Sequence, residues 1–187
     1  VMGRVCYHTC QGACNRNGID EPVGINAVER FLGDYALEKG WQLPVPAADT
    51  GKRILIVGAG PAGLSAAYQL RRLGHAVHVV ESAEAAGGMM RYGIPKYRLP
   101  REVLDQEIAR ITALGVEFEF GREVKDLNAE MKSAGYDAAF LGAGASLAHR
   151  AYIPAGDAAH ILDAVSVLRS MLSLIHISEP TRRSYIS

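Results

Sequence analysis

Apolar and polar residues recur with two different periods along this chain. Residues 24–40 (GINAVERFLGDYALEKG) carry Ile25, Val28, Phe31, Leu32, Tyr35 and Leu37 largely on one helical stripe, and Gly40 is placed to end that helix. Beyond it the pattern changes. Short runs at Ile54–Val57, Ala76–Val80, Val116–Phe120 and Asp137–Leu141 predict strands. Helices are predicted between them over Ala62–Leu73, about Glu102–Leu114, and near Leu127–Ser133. Strands that alternate with helices imply an α/β fold with a parallel sheet and right-handed crossovers. Trp41–Gly51 (WQLPVPAADTG) reads as a Pro-containing linker ahead of the first strand, and Ser82–Pro100 as a long loop. The chain has no internal repeat.

The turn after the first strand carries the most specific chemistry. Gly58-Ala59-Gly60-Pro61-Ala62-Gly63 follows the run Ile54–Val57 directly, and Glu81 closes the next strand 23 positions after Gly58 (81 − 58). This is a Rossmann-type dinucleotide fingerprint. Gly58 permits the tight turn, Gly60 lets the backbone approach a pyrophosphate, and Gly63 allows close helix–strand packing. The helix N-terminus offers N–H groups to the phosphates. Glu81 suits a ribose diol and repels a 2′-phosphate, which favours FAD or NAD over NADP at this site.

The loop that follows tips the choice toward FAD. Gly87-Gly88 lets backbone approach the pyrophosphate from a second side, although an ordinary loop would also use the pair. Arg98 stands in an aromatic, Pro-bounded stretch, where it could reach a phosphate or the flavin or simply face solvent. Gly142-Ala143-Gly144 starts like a second fingerprint, but Leu147 replaces its third glycine. It reads as a strand end passing close to the cofactor.

Lys+Arg and Asp+Glu both number 20, which argues against nucleic acid or an anionic membrane as the main partner. No apolar stretch approaches transmembrane length and no signal peptide opens the chain, so a soluble, cytoplasmic protein is expected. Cys6, Cys10 and Cys14 are the three cysteines, a ligand pattern and not a disulfide framework. Soft thiolates suit iron–sulfur clusters, zinc or Cu(I), and buried thiols are the plain alternative. A fourth ligand would come from upstream or from a non-cysteine residue. His8 is a reserve ligand, and His75, His78, His149 and His160 show no spacing that suggests acid–base work.

Taken in order, the Cys-rich segment, VGINAVERFLGDYALEKGW, VGAGPAG, GGMMRYGIPKYRLP and FLGAG resemble the small (beta) subunit of NADPH-dependent glutamate synthase. The N-terminal region of dihydropyrimidine dehydrogenase and the large subunit of electron-bifurcating transhydrogenase are similar. The resemblance covers about Val1–Leu168. It implies FAD on a split Rossmann domain, an inserted NADPH domain, and [4Fe-4S] clusters in an N-terminal helical domain. It also implies FAD contacts at Gly58–Ala62, Glu81, Gly88, Arg98 and Val124, and three cysteines plus Glu29 as cluster ligands. The chain departs from the family at Met2, where an earlier Cys is usual, and in the shorter gap between Cys6 and Cys10. The candidate cofactor-binding residues are Gly58, Ala59, Gly60, Pro61, Ala62, Gly63, Glu81, Ser82, Gly88, Met89, Arg98, Val124 and Gly144. The candidate cluster ligands are Cys6, Cys10, Cys14 and Glu29, and no catalytic side chain is expected. The function implied is electron transfer from NADPH through FAD and [4Fe-4S] clusters to an accepting subunit or domain, such as the glutamate synthase large subunit. Rival readings are a stand-alone FAD or NAD oxidoreductase with a zinc-stapled N-terminus, and a non-catalytic iron–sulfur relay module.

Three segments are expected: 1–45 as the C-terminal part of the helical cluster domain, 52–171 as an incomplete FAD domain lacking its NADPH insertion, and 172–187 as a non-native tail. Leu172–Arg182 (LSLIHISEPTR) reads codon for codon as a translated transposase-type sequencing adapter, and Ile186-Ser187 continues it. The chain also opens at Val1, inside a motif that continues upstream. Resequencing the source DNA across the codon for Met171 should show an open frame running into a second nucleotide-binding domain. Genomic codons for SLIHISEPTRR would refute the adapter origin.

Overall fold

The computed structural model describes residues 1–44, 46–145 and 164–173. The N-terminal part is helical: α1 (Met2–Val5), α2 (Thr9–Gly12), a 3-10 turn at Asn15–Gly18, and α3 (Ile25–Glu38). Next come β1 (Arg53–Val57), α4 (Pro61–Arg72), β2 (Ala76–Val80), α5 (Met89–Tyr92), α6 (Arg101–Thr112), β3 (Glu117–Glu119), α7 (Leu127–Ala134), β4 (Ala138–Leu141) and α8 (Ala164–Ser173). The four strands form one parallel sheet in the order β3-β2-β1-β4. This is the expected Rossmann-type α/β architecture.

Burial explains why the short apolar runs became strands. Leu55, Ile56 and Val79 are fully buried and Val80 nearly so, as expected of parallel strands covered on both faces. Ile56, Val77 and Val79 pack with Ala59, Leu64 and Ala67 of the turn and α4, and with Val116 before β3. The small Ala67 and Gly63 bring α4 close to the sheet. Leu99 and Leu104 are buried under the long loop, which therefore has an anchor of its own.

The second half of the linker, residues 47–50, is strapped down. The Ala47 amide donates to the Arg72 carbonyl (2.9 Å) and the Thr50 amide to the Gly74 carbonyl (3.1 Å). Gly74 has φ +88°, and a Cβ there would stand 2.1 Å from the Ala48 carbonyl oxygen. The linker therefore crosses the C-terminal end of α4 by a backbone-to-backbone contact.

The helix expected at residues 24–40 is present, but its apolar stripe is not buried among the described residues. Val28, Phe31 and Leu32 are each more than half exposed. α1 packs on α3 through a different set of residues. A Cβ on Gly3 would come within 2.5 Å of the Arg30 amide nitrogen, Arg4 donates to both carboxylate oxygens of Asp34 (2.8 Å each), and the Asn26 side chain donates to the Gly3 carbonyl (3.1 Å). Phe31 stacks on Tyr35, and Tyr35 meets Trp41 edge-on.

His78, on β2, shares a hydrogen bond with the Tyr136 hydroxyl through Nδ1, and its Nε2 lies 3.6 Å from Glu119. Its place is structural, in a polar network that Arg122 extends to Glu119 and Glu130.

The glycines divide by what surrounds them, and this yields a paired test. A Cβ on Gly63 would fall 1.8 Å from the Gly58 carbonyl oxygen, whereas one on Gly33, within α3, meets nothing within 4 Å. Gly63→Ala should therefore lower unfolding free energy by about 2–3 kcal/mol. Gly33→Ala should raise it by about 0.5–1 kcal/mol. Urea denaturation of the two variants checks both signs.

Candidate dinucleotide site and cysteine segment

The chain leaves β1 through Gly58, whose φ of +100° excludes an ordinary side chain. A Cβ there would stand 2.4 Å from the Gly142 carbonyl oxygen, so the end of β4 lies directly against the turn. The Gly142 amide donates to the Val57 carbonyl (2.8 Å). The strand end Gly142-Ala143-Gly144 thus meets the turn through Gly142, whereas the residue of it named as a candidate is Gly144. Gly144, with φ +72°, has nothing within 4 Å of its Cβ position. α4 starts at Pro61 with Gly60 as its N-cap, and Pro at the first helical position loses no intrahelical bond.

Gly60 differs from its two neighbours in the fingerprint. Its backbone (φ −76°, ψ −174°) is open to any residue, and its added Cβ meets only the Gly88 Cα, at 3.9 Å. The fold itself tolerates a side chain at this place. Gly88 faces it from the long loop with φ +50°, and a Cβ on Gly88 would come 2.7 Å from the Gly60 Cα. Two bare backbones therefore face each other, one at the N-terminus of α4 and one at the start of α5. The Gly87 amide donates to the Ala59 carbonyl (2.8 Å) and ties the two walls together. The two backbones are thus in van der Waals contact, and the N-terminus of α4 beside them is bare of side chains at Gly60. Met89 follows Gly88 and is half exposed.

Glu81 is placed by the sheet. Its amide donates to the Glu119 carbonyl (2.8 Å), and its own carbonyl accepts from the Arg122 amide (3.1 Å). The carboxylate accepts the Ala59 amide on Oε2 (2.7 Å) and the Ala83 amide on Oε1 (2.8 Å), with the Ser82 hydroxyl donating at 3.2 Å. Two backbone amides thus hold a negative charge beside the fingerprint turn, where a ribose diol would lie. Val124 follows on the half-buried stretch after Arg122, which runs beside residues 81–83.

Arg98 is exposed on the long loop, and its guanidinium carbon lies 5.7 Å from the Tyr7 ring centroid. Tyr7 directly follows Cys6, so the structure brings the flavin-type loop against the cysteine segment. Sequence reading did not connect these two places. Their relation is tertiary, and nothing in the spacing between residues 7 and 98 signals it.

Cys6 caps α1 and its Sγ accepts the His8 amide (3.3 Å), Cys10 lies on α2, and Cys14 opens the 3-10 turn. His8 adopts the left-handed conformation (φ +43°), a strained turn for a side-chain-bearing residue. Backbone amides, Val23's foremost, hold the Cys14 thiol below its ordinary range. All three thiols are free of disulfides, and as a donor set they suit a soft metal centre. Glu29 stands apart on α3, where it lines a cleft of about 410 Å³ with Met2, Arg4, Ser65 and Tyr68. Among the described residues no three Cys, His, Asp or Glu side chains converge as metal ligands. The structure therefore does not bring Cys6, Cys10, Cys14 and Glu29 together. No helix among the described residues is long and apolar enough to cross a membrane.

Residues 1–41 match the family model of dihydropyrimidine dehydrogenase domain II, 4Fe-4S cluster, and residues 56–110 match the NAD(P)-binding Rossmann-like domain. The chain is 40% identical over 168 residues to the NADP(+)-dependent formate dehydrogenase subunit beta of Moorella thermoacetica, covering 77% of this chain and 24% of that protein. It is 41% identical to the NAD-dependent dihydropyrimidine dehydrogenase subunit PreT of Salmonella typhimurium (78% and 36% covered). It is 40% identical to the glutamate synthase [NADPH] small chain of Bacillus subtilis (76% and 29% covered). The chain thus spans between about a quarter and a third of the length of these relatives. Among solved structures, FprA of Mycobacterium tuberculosis in complex with NADPH shares the fold, with a TM-score of 0.55 at 23% identity over 63% of this chain and 28% of that one. Over its matched length the chain is a homologue of the glutamate synthase small subunits, the PreT subunits of dihydropyrimidine dehydrogenase and the formate dehydrogenase beta subunit.

Proposed function

We propose that this chain is the flavin- and cluster-bearing part of an NAD(P)H-dependent oxidoreductase of the glutamate synthase small-subunit type. In this reading electrons pass from NADPH, held by a further domain, through FAD and a [4Fe-4S] cluster to an accepting subunit or domain, such as a glutamate synthase large subunit. FAD, when bound, supplies hydride acceptance and one-electron donation. The chain's own residues bind and orient it. Gly60 leaves the N-terminus of α4 bare for the pyrophosphate and Gly88 closes against it without a side chain, Glu81 receives the ribose, and Arg98 meets the cofactor from the loop side. Ser82, Met89, Val124 and Gly144 border the same path. Cys6, Cys10 and Cys14, with Glu29 from α3, are the proposed cluster ligands, supported by the family match over residues 1–41.

The observation that carries the reading is the apposition of Gly60 and Gly88. The fold does not need glycine at position 60, so its bareness is explained by what passes there. The Tyr7–Arg98 contact adds the second requirement, a cysteine segment beside the flavin loop.

Two experiments test this. Gly60→Ala should leave the urea midpoint nearly unchanged while FAD affinity falls at least about tenfold, a difference of about 1.4 kcal/mol. An unchanged affinity, or NAD in place of FAD on the purified chain, would overturn the flavin assignment. After anaerobic reconstitution with iron and sulfide, the chain should give the low-temperature EPR signal of a reduced [4Fe-4S] cluster. Each of Cys6→Ala, Cys10→Ala and Cys14→Ala should abolish that signal. Glu29→Ala should keep iron and shift the spectrum or potential, because a carboxylate is a harder ligand than a thiolate. Zinc in place of iron points to a structural staple, and an unaltered Glu29→Ala spectrum removes Glu29 from the ligand set.

A further inference from the structure

The loop between β2 and α6 carries Gly88, Met89 and Arg98, and a single guanidinium gathers its backbone. Arg101, the first residue of α6, donates from Nη1 to the carbonyls of Met90 (3.2 Å) and Leu99 (3.1 Å), and from Nη2 to the carbonyl of Ile94 (2.8 Å). The outermost of these carbonyls stand nine positions apart in the chain (99 − 90). Three carbonyl dipoles pointed at one place repel one another unless a cation sits among them. Burial pushes Arg101 below the ordinary arginine range, and the neighbouring Arg91 cation adds to this, with Asp105 and Glu102 opposing. Arg91 in turn binds the Ala86 carbonyl and pairs with Asp105. The two cations thus share the loop between them, Arg91 holding its entry and Arg101 its body and exit.

We propose that Arg101 is a positioning residue of the flavin site, ordering residues 90–99 so that Gly88 meets Gly60 and Arg98 reaches the cofactor. The inference rests on the FAD reading above. It goes further in assigning a function to a residue that touches neither cofactor nor cluster. The geometry asks for a planar fork. Lysine offers a point charge with different reach and cannot span three carbonyls arranged for two guanidinium nitrogens. The loop joins the sheet core around Ile56 and Val79 through Ala86 and Met90, whereas Arg101 acts on its backbone carbonyls, so a core substitution and an Arg101 substitution load the loop differently.

The test compares the chain with Arg101→Lys, Arg101→Gln and a core control, Val116→Ala. FAD affinity is read by flavin fluorescence, loop order by the rate of tryptic cleavage after Lys96 and Arg98, and stability by the thermal midpoint. Both Arg101 variants should bind FAD about tenfold more weakly, as expected for losing charge-assisted hydrogen bonds, and should be cut faster within the loop. Val116→Ala should lower the midpoint at least as far while leaving affinity and loop cleavage within about twofold, since it thins the sheet core but removes none of the Arg101 hydrogen bonds. Unchanged affinity and cleavage in both Arg101 variants overturn the proposal. So does a loss of affinity that Val116→Ala reproduces. A wild-type chain that takes up no FAD defeats the flavin reading instead, and the cleavage rates then decide alone whether Arg101 orders the loop.

Discussion

The structure depends on one backbone approach, the packing of Gly63 against the carbonyl of Gly58. A methyl group at position 63 would sit 1.8 Å from that oxygen, so the first turn of α4 can lie over the end of β1 only if residue 63 has no side chain. From this contact follow the position of the α4 N-terminus above β1 and the burial of Leu64 and Ala67 on the sheet. The Cβ position of Gly58 meets Gly142, so the same turn also fixes where β4 ends. Two missing side chains, at Gly63 and Gly58, thus set the relation of three elements. The cradle lies at their meeting point, at the carboxyl ends of the strands, where ligands of open parallel sheets bind.

The second wall of the cradle is built differently. The first wall is regular secondary structure held by apolar burial. The loop from Ser82 to Pro100 contains only the short α5, with Ala86 and Leu99 as its buried apolar residues. Its carbonyls are drawn inward by Arg91 and Arg101, and its Gly87 amide is tied to Ala59. Charge gathers what burial alone leaves loose. The arrangement suits a cofactor site, because a polar loop held by directed hydrogen bonds keeps its shape without apolar side chains filling the cradle.

Much of this was legible in the sequence because it is local. The run Ile54–Val57, the glycines behind it and the acid at Glu81 lie within one βαβ unit, and each constrains its neighbours through backbone geometry. The observed α4 (Pro61–Arg72) and β2 (Ala76–Val80) accordingly fall within one residue of the expected bounds. The helices α1, α2 and α5 were not legible, since a four-residue helix is barely one turn and shows no period. The stripe on α3 correctly predicted a helix. Periodicity identifies an apolar face but not what covers it, and α1 in fact meets α3 through Gly3, Arg4, Asn26 and Asp34. Arg101 carried no signal at all, because its partners are backbone carbonyls that every sequence possesses. The candidate ligands Cys6, Cys10, Cys14 and Glu29 drew on family resemblance, and their convergence is a tertiary matter on which residue spacing is silent.

The cysteine segment is held from two sides. On one side, α1 is fastened to α3 by the Arg4–Asp34 pair and by the close approach of Gly3 to Arg30. On the other, Tyr7 meets Arg98. Consecutive Cα atoms stand about 3.8 Å apart, so Cys6 cannot move far while Tyr7 stays on Arg98. Cys10 and Cys14 lie beyond the left-handed turn at His8, and the Cys14 thiol is met by the Val23 amide just ahead of α3. Cys6, next to Tyr7, and Cys14, under the Val23 amide, are thus each placed by a contact from outside their own turns. The segment is therefore tied to two neighbours at once, to the long loop through Tyr7 and to the approach of α3 through Cys14.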